Sequence, residues 1–139
     1  MPKAVPEKRF EAVLRQYGLR ATPQRAIVIE ALTELSHPDA EAVFAYAQRR
    51  QPSMSLATVY NVLEKFHAVG LVTLLAFHGR RYFDTRVEHH DHVHCRQCGR
   101  LTDVSRDPKT RLVAPNVASW VIEDQKLVWE GLCPACREA

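Results

Sequence analysis

Residues 55–84 read SLATVYNVLEKFHAVGLVTLLAFHGRRYFD, and a change of period inside this stretch decides the fold. Leu56, Val59, Tyr60, Leu63 and Phe66 recur at intervals of three and four, which lines one face of a helix. Ser55 supplies a side-chain oxygen for a free N–H of the first turn, and Gly70 offers the left-handed conformation that ends a helix. Thr58, Asn61 and Lys65 occupy the opposite face of this helix, expected over Ser55–Ala68. Leu71–Phe77 and Arg81–Asp84 are short β-like runs, and His78-Gly79 between them is a hairpin turn signal.

Upstream, the pattern is helical throughout. Glu7 to Tyr17 forms a first helix ended by Gly18. Thr22-Pro23 starts a second, because proline at the first helical position loses no needed donor. Val28, Ala31, Leu32 and Leu35 give it a core face. Asp39 caps a third helix whose buried stripe is Val43, Phe44 and Ala47. Short helices followed by a two-stranded hairpin make the pattern of a winged helix-turn-helix, in which one helix enters the major groove and the hairpin approaches the phosphate backbone. A small α+β enzyme domain carries the same pattern. Charge points toward nucleic acid without deciding the matter: the net charge of +3 lies wholly within residues 1–84, a basic footprint or an ordinary solvated surface. Arg80 and Arg81 at the hairpin suit phosphate contact.

Downstream the residue types change. His, Asp and Cys concentrate between Asp84 and Asp103. Leu101–Val104, Trp120–Glu123 and Lys126–Leu132 read as strands, and Thr110 to Trp120 as a short helix limited or kinked by Pro115. Large apolar residues are few here, so a metal staple and a dimer partner would both stabilise this part. The class expected is α+β, with a winged helix-turn-helix DNA-binding domain over 1–84 and a small α/β dimerisation and metal-sensing domain over 85–139. With 139 residues, 46% hydrophobic and 25% charged, the chain reads as globular. It has no apolar run of membrane-spanning length and no signal-peptide core, so a cytoplasmic location and no membrane partner are expected.

Cys95-x-x-Cys98 and Cys133-x-x-Cys136 form two knuckles. Such pairs bring four thiolates to one tetrahedral ion and suit structural Zn2+; a disulfide pair or redox thiols are the alternatives. All four positions would be filled, so the ion stabilises rather than catalyses. The run Glu88-His89-His90-Asp91-His92-Val93-His94 is either a solvated polar strand or a partial metal site. In an extended strand His90 and His92 share a face, with His94 in line, and His89, Asp91 and Val93 share the other. Imidazole and carboxylate suit Fe2+, Mn2+, Co2+ or Zn2+, held more labilely than by four sulfurs.

The chain resembles the ferric uptake regulator (Fur) family over nearly its whole length. The matching residues are Leu19-Arg20-Ala21-Thr22-Pro23-Gln24-Arg25, His37-Pro38, Ala57-Thr58-Val59-Tyr60-Asn61-Val62-Leu63, Gly70-Leu71-Val72, His89-His90-Asp91-His92-Val93-His94-Cys95, Cys98-Gly99 and the closing Cys133-x-x-Cys136. The resemblance implies a homodimeric repressor that binds a palindromic double-stranded DNA operator when its regulatory metal is present, and not an enzyme. Asn61 after Tyr60, and aspartates where the iron-sensing branch has glutamates, resemble the peroxide-sensing branch (PerR). By that resemblance the regulatory ligands are His37, Asp84, His90, His92 and Asp103, holding Fe2+ or Mn2+. Iron(II) would then react with peroxide so that His37 or His90 is oxidised, the metal is lost and the DNA is released. The alternative is an iron-, manganese- or zinc-responsive regulator of the same family that does not sense peroxide.

The expected DNA contacts are Arg15, Arg20 and Arg25 on phosphates, Ser55, Thr58, Tyr60, Asn61 and Lys65 on the fourth helix, and Arg80 at the hairpin. The sequence departs from the family pattern at three places. Gln125 stands where a second His/carboxylate site with His89 and Asp91 would need a ligand, His94 where relatives carry an apolar residue, and Pro115 in the dimerisation helix. A deaminase would need a His-x-Glu and a Pro-Cys-x-x-Cys, and here Pro134 follows its cysteine. An adaptor built on a zinc ribbon is the remaining competitor.

Overall fold

The computed structural model describes residues 6–85, 90–107, 109 and 113–138. The chain divides into two compact units, Met1–Val87 and Glu88–Ala139.

The N-terminal unit consists of helices α1 (Pro6–Gln16), α2 (Pro23–Glu34), α3 (Ala40–Arg50) and α4 (Leu56–Ala68), then strands β1 (Thr73–Phe77) and β2 (Arg80–Asp84). Three helix starts are fixed by their caps. Thr22 Oγ1 accepts from Arg25 N–H at 3.2 Å, Asp39 Oδ1 from Ala42 N–H at 2.8 Å, and Ser55 Oγ from Thr58 N–H at 3.1 Å, each satisfying a donor with no partner inside the helix. At the end of α4, Gly70 takes φ 82°, and Leu71 N–H donates to the Phe66 carbonyl at 2.9 Å, the closure that a left-handed residue makes available.

Helix α2 is buried continuously from Ala26 to Leu32, more than the single face its spacing suggested, because α1, α3 and α4 all pack against it. Its one buried charge, Glu30, accepts from Arg50 of α3 at 2.9 Å. The core runs from Phe10 and Leu14 through Val28, Val43, Val59, Leu63 and Phe66 to Phe83 of the hairpin. The hairpin pairs Thr73 with Asp84 and Phe77 with Arg80. Its turn places His78 and Gly79 at φ 50° and 73°, the two positive values that a tight two-residue hairpin needs. Helices followed by this hairpin are a winged helix-turn-helix.

The C-terminal unit holds a three-stranded sheet in the order β4-β3-β5, with β3 (Asp91–Cys95), β4 (Leu101–Val104) and β5 (Val128–Gly131), and a one-turn helix α5 (Pro134–Arg137). Strand β4 runs antiparallel to β3, and β5 parallel. The helix expected over 110–120 is corrected: residues 113–120 form no helix, only a turn at 118–119, while Thr110, Arg111 and Leu112 lie outside the described residues. Pro115 lacks a donor, and every residue from Val113 to Trp120 is exposed, so no packing stabilises a short helix there. The strand expected at Trp120–Glu123 is likewise absent; its residues are exposed and pair with no neighbour strand. His89 lies outside the described residues. No helix among the described residues is long and apolar enough to cross a membrane.

Leu63 is fully buried, so Leu63→Ala should destabilise the N-terminal unit by about 3 kcal/mol, whereas Asn61→Ala, on the exposed face, should stay within about 0.5 kcal/mol. Urea unfolding followed by far-ultraviolet circular dichroism measures both.

Candidate metal centres and nucleic-acid interface

The four cysteines come together. Their Sγ atoms lie within 4.8 Å of one another, and all four are free thiols. The sheet brings them there: parallel pairing of β3 with β5 sets Cys95 opposite Gly131, two residues before Cys133. The first knuckle folds back as Gly99 N–H donates to the Cys95 carbonyl at 2.9 Å, and Arg96 N–H ties it to the Gly131 carbonyl at 3.0 Å. Cys98 Sγ lies 3.8 Å from Cys133 Sγ. That is far beyond a disulfide, and it equals the edge of a tetrahedron with metal–sulfur bonds of about 2.3 Å, roughly 3.8 Å.

The thiols are already divided electrostatically. Backbone N–H groups of Cys98 and then Cys133 bring the Cys95 thiol down to about 5, and Cys133 N–H lies 3.4 Å from its sulfur. The backbone N–H of Cys136 lowers Cys133. The neighbouring Cys133 sulfur, then burial, pushes Cys136 up to about 12. Four sulfurs this close can all ionise only around a cation, and the donor set fits a soft tetrahedral ion.

The His and Asp residues expected as ligands fall into two sets, one in each unit. In the N-terminal unit His37 Nε2 lies 3.4 Å from Asp84 Oδ2, with side chains 6% and 19% exposed. His37 has φ 45°, a strained value for a non-glycine residue. Its Nδ1 lies 3.1 Å from Ser36 Oγ, which leaves Nε2 facing the carboxylate. Phe83 N–H donates to the Pro38 carbonyl at 2.9 Å, so the end of β2 is fastened beside His37 and carries Asp84 to it.

In the C-terminal unit, antiparallel register sets Asp103 directly opposite His92. His90 Nε2 and His92 Nε2 approach the same Asp103 oxygen, Oδ1, at 3.1 and 3.4 Å, and their ring centroids are 4.6 Å apart. The shared face expected of His90 and His92 is thus present, completed across the strand by a carboxylate. His94 is also buried, with Nδ1 3.7 Å from Glu130 Oε1.

Asp91, on the other face of β3, is 3% exposed and engaged by Arg106. Arg106 Nε lies 3.0 and 3.1 Å from its two oxygens, and Nη2 lies 2.5 Å from Oδ1. A guanidinium therefore occupies the carboxylate that a second metal site would have used, and it holds the Asp91 carboxyl below the usual carboxylate range. Nothing in the sequence marked Arg106, which reaches back fifteen residues from an irregular segment.

The expected DNA-contact residues divide by exposure. Arg20, Asn61, Lys65 and Arg80 are exposed. Arg15 is exposed and paired with Glu11, and Arg25 Nη1 donates to the Arg20 carbonyl at 2.7 Å. Ser55 and Thr58 are joined through their hydroxyls at 2.9 Å in the cap of α4. Tyr60 packs against the core, and its hydroxyl donates to Glu41 Oε1 at 3.3 Å. Burial, then the Glu41 carboxylate, raise the Tyr60 phenol, keeping it a donor. Glu41, Glu64 and Arg81 cluster around this helix, and only Arg81 had been marked by the sequence.

Residues 16–127 match the ferric uptake regulator family model. The chain belongs to this family. It is 30% identical over 131 residues to the peroxide-responsive repressor PerR of Staphylococcus epidermidis, covering 91% of this chain and 87% of that protein. Among solved structures, the Vibrio cholerae ferric uptake regulator superposes with a TM-score of 0.69 at 27% identity, over 88% of this chain and 98% of that one. A zinc-bound manganese uptake regulator gives 0.70 at 25% identity, over 89% and 98%. As a family member the chain is a transcriptional regulator and not an enzyme, and its described residues include sulfur and His/Asp candidates for metal.

Arg106→Met should lower the unfolding midpoint of the C-terminal unit at pH 7, because it strands a buried carboxylate. Asp91 has a lowered pKa, so the pair stabilises above its unfolded value of about 3.9 and is lost as pH falls through the lower folded value. The gap between variant and parent should therefore hold from pH 7 down to about 4 and narrow only below that in thermal melts; a gap that persists unchanged at lower pH would remove Asp91 as its cause.

Proposed function

We propose that this chain is a peroxide-responsive, metal-dependent repressor acting as a homodimer on a palindromic DNA operator. The observation that carries the reading is the convergence of His90 and His92 on one Asp103 oxygen. Two imidazoles and a carboxylate make a three-donor set, which leaves open positions on an ion that takes about six. His37 and Asp84 supply the remaining donors. One ion shared by all five ties the DNA-binding unit to the sensing unit and so fixes the separation of the two α4 helices in the dimer. Operator half-sites have set spacing, so only the metal-closed form engages both. The ion switches the protein because it binds the closed form better than the open one.

The four-sulfur centre holds structural Zn2+, and the His/Asp centre holds Fe2+ or Mn2+. Bound iron(II) supplies the reducing equivalents that turn peroxide into an oxidant at the site. The protein's part is to hold the His37 and His90 imidazoles within reach. Its carboxylates there are aspartates, one methylene shorter than glutamate. The similarity to a protein named as a peroxide-responsive repressor supports this branch. The dimer is supported by the apolar surface of the C-terminal unit, where Trp120, Val121 and Trp129 are 71%, 83% and 57% exposed, more than a monomer ordinarily leaves in water.

Iron-loaded protein treated with dilute peroxide should gain one oxygen on His37 or His90 by peptide mass spectrometry and lose its operator in a gel shift, while the manganese-loaded form keeps it. Retention of the operator by both forms, with no adduct, would make the chain a plain metal sensor. Cys98→Ser should cost the bound zinc and the dimer together, read by metal analysis and sedimentation, with the melting of the N-terminal unit unchanged. Arg20→Ala should weaken operator binding and lower the salt slope by about one, with sequence preference kept.

A further inference from the structure

Helix α4 presents a carboxylate on the face assigned to DNA. Glu64 follows Asn61 by three residues and precedes Lys65, so it shares their side of the helix. It is 52% exposed, and its Oε1 lies 2.6 Å from Nη2 of Arg81 on β2. The guanidinium carbon of Arg81 stands 5.7 Å over the Phe83 ring, so the arginine is held from below as well. A pair this exposed contributes little to folding. A cavity of about 420 Å³ beside it, lined by Asp39, Glu41, Tyr60, Arg80 and Arg81 among others, leaves the arginine unconfined on that flank.

A negative side chain on such a face is costly against a polyanion, whatever the sequence, unless a base offers it a donor. In the major groove the amino groups of cytosine and adenine are the only donors, whereas guanine and thymine present acceptors that repel a carboxylate. We propose that Glu64 is a specificity-determining residue, reading an amino-bearing base in the operator and penalising every other sequence. Arg81 is its positioning residue: it orients the carboxylate through one oxygen and offsets part of its charge. The inference rests on reading α4 as the DNA-reading helix.

The test is selection of duplexes from a random pool by the full-length, manganese-loaded dimer, alongside its Glu64→Gln and Arg81→Met variants, followed by anisotropy titrations on the selected and a scrambled duplex. The parent should require cytosine or adenine on one strand at one position of each half-site. Glu64→Gln, whose amide both donates and accepts, should admit guanine and thymine there, its discrimination against them falling from about tenfold or more to near unity, and should bind the scrambled duplex more tightly. Arg81→Met should relax the requirement without abolishing it, while binding every duplex more weakly. If the parent selects an operator and Glu64→Gln selects the same one with unchanged scrambled-duplex affinity, this inference is overturned and the DNA reading stands. If the parent selects nothing, both fall.

Discussion

The C-terminal unit has almost no apolar interior. Its buried described residues are Asp91, His92, His94, Cys95 and Leu101, four of them types that ligate metals or carry charge. The apolar cluster that holds a domain together lies entirely within the N-terminal unit. Burial of Leu101 alone cannot offset the entropy of ordering some fifty residues, so cohesion has to come from elsewhere. Sulfur–metal bonds are one source: Cys98 and Cys133 already stand at tetrahedral separation, and all four Sγ atoms lie within 4.8 Å of one another. Cover for Trp120, Val121, Ile122 and Trp129 is the other. A unit built this way has its folding and its ion content linked by construction.

That linkage explains the layout of β3. Its five residues serve three purposes at once. His92 points to Asp103, Asp91 is clamped by Arg106 on the reverse face, and Cys95 opens the first knuckle. A slip of one residue in the pairing with β4 would exchange the two faces, putting Asp91 where His92 stands. Arg106 makes such a slip costly, because Asp91 on the wrong face would lose the guanidinium that clamps it. The fixed guanidinium thus protects the register on which the imidazole pair depends.

Much of this was legible in the residues. The four-helix start, its caps and the hairpin turn followed from Thr22, Asp39, Ser55, Gly70 and His78-Gly79, because caps and turns are local chemistry. The cysteine centre followed from two knuckles of fixed spacing. The alternation of His90 and His92 gave their common face, although the register that adds Asp103 is a tertiary fact. What failed was the segment from Val113 to Glu123, where apolar residues suggested a helix and a strand. An apolar pattern specifies an element only when something covers it, and in the single chain these side chains face water. Arg106, Glu41 and Glu64 escaped notice for the opposite reason. Charged residues carry no period, and their partners lie between fifteen and twenty positions away.

The N-terminal unit holds its two proposed ligands, His37 and Asp84, in a prepared state. Left-handed backbone at His37, the Ser36 contact at Nδ1 and the Phe83–Pro38 hydrogen bond together set Nε2 toward Asp84. The strain at His37 would be relieved by rotation if the surrounding bonds did not hold it, so the N-terminal unit stores a preference for one geometry of this pair. On the reading proposed here, this divides the labour of sensing. Each unit positions part of the ligand set, neither supplies all five donors, and the full free energy of binding is gained only when both sets close on the ion. A centre with all five ligands in one unit would bind metal more simply, but its occupancy would leave the spacing of the α4 helices unchanged.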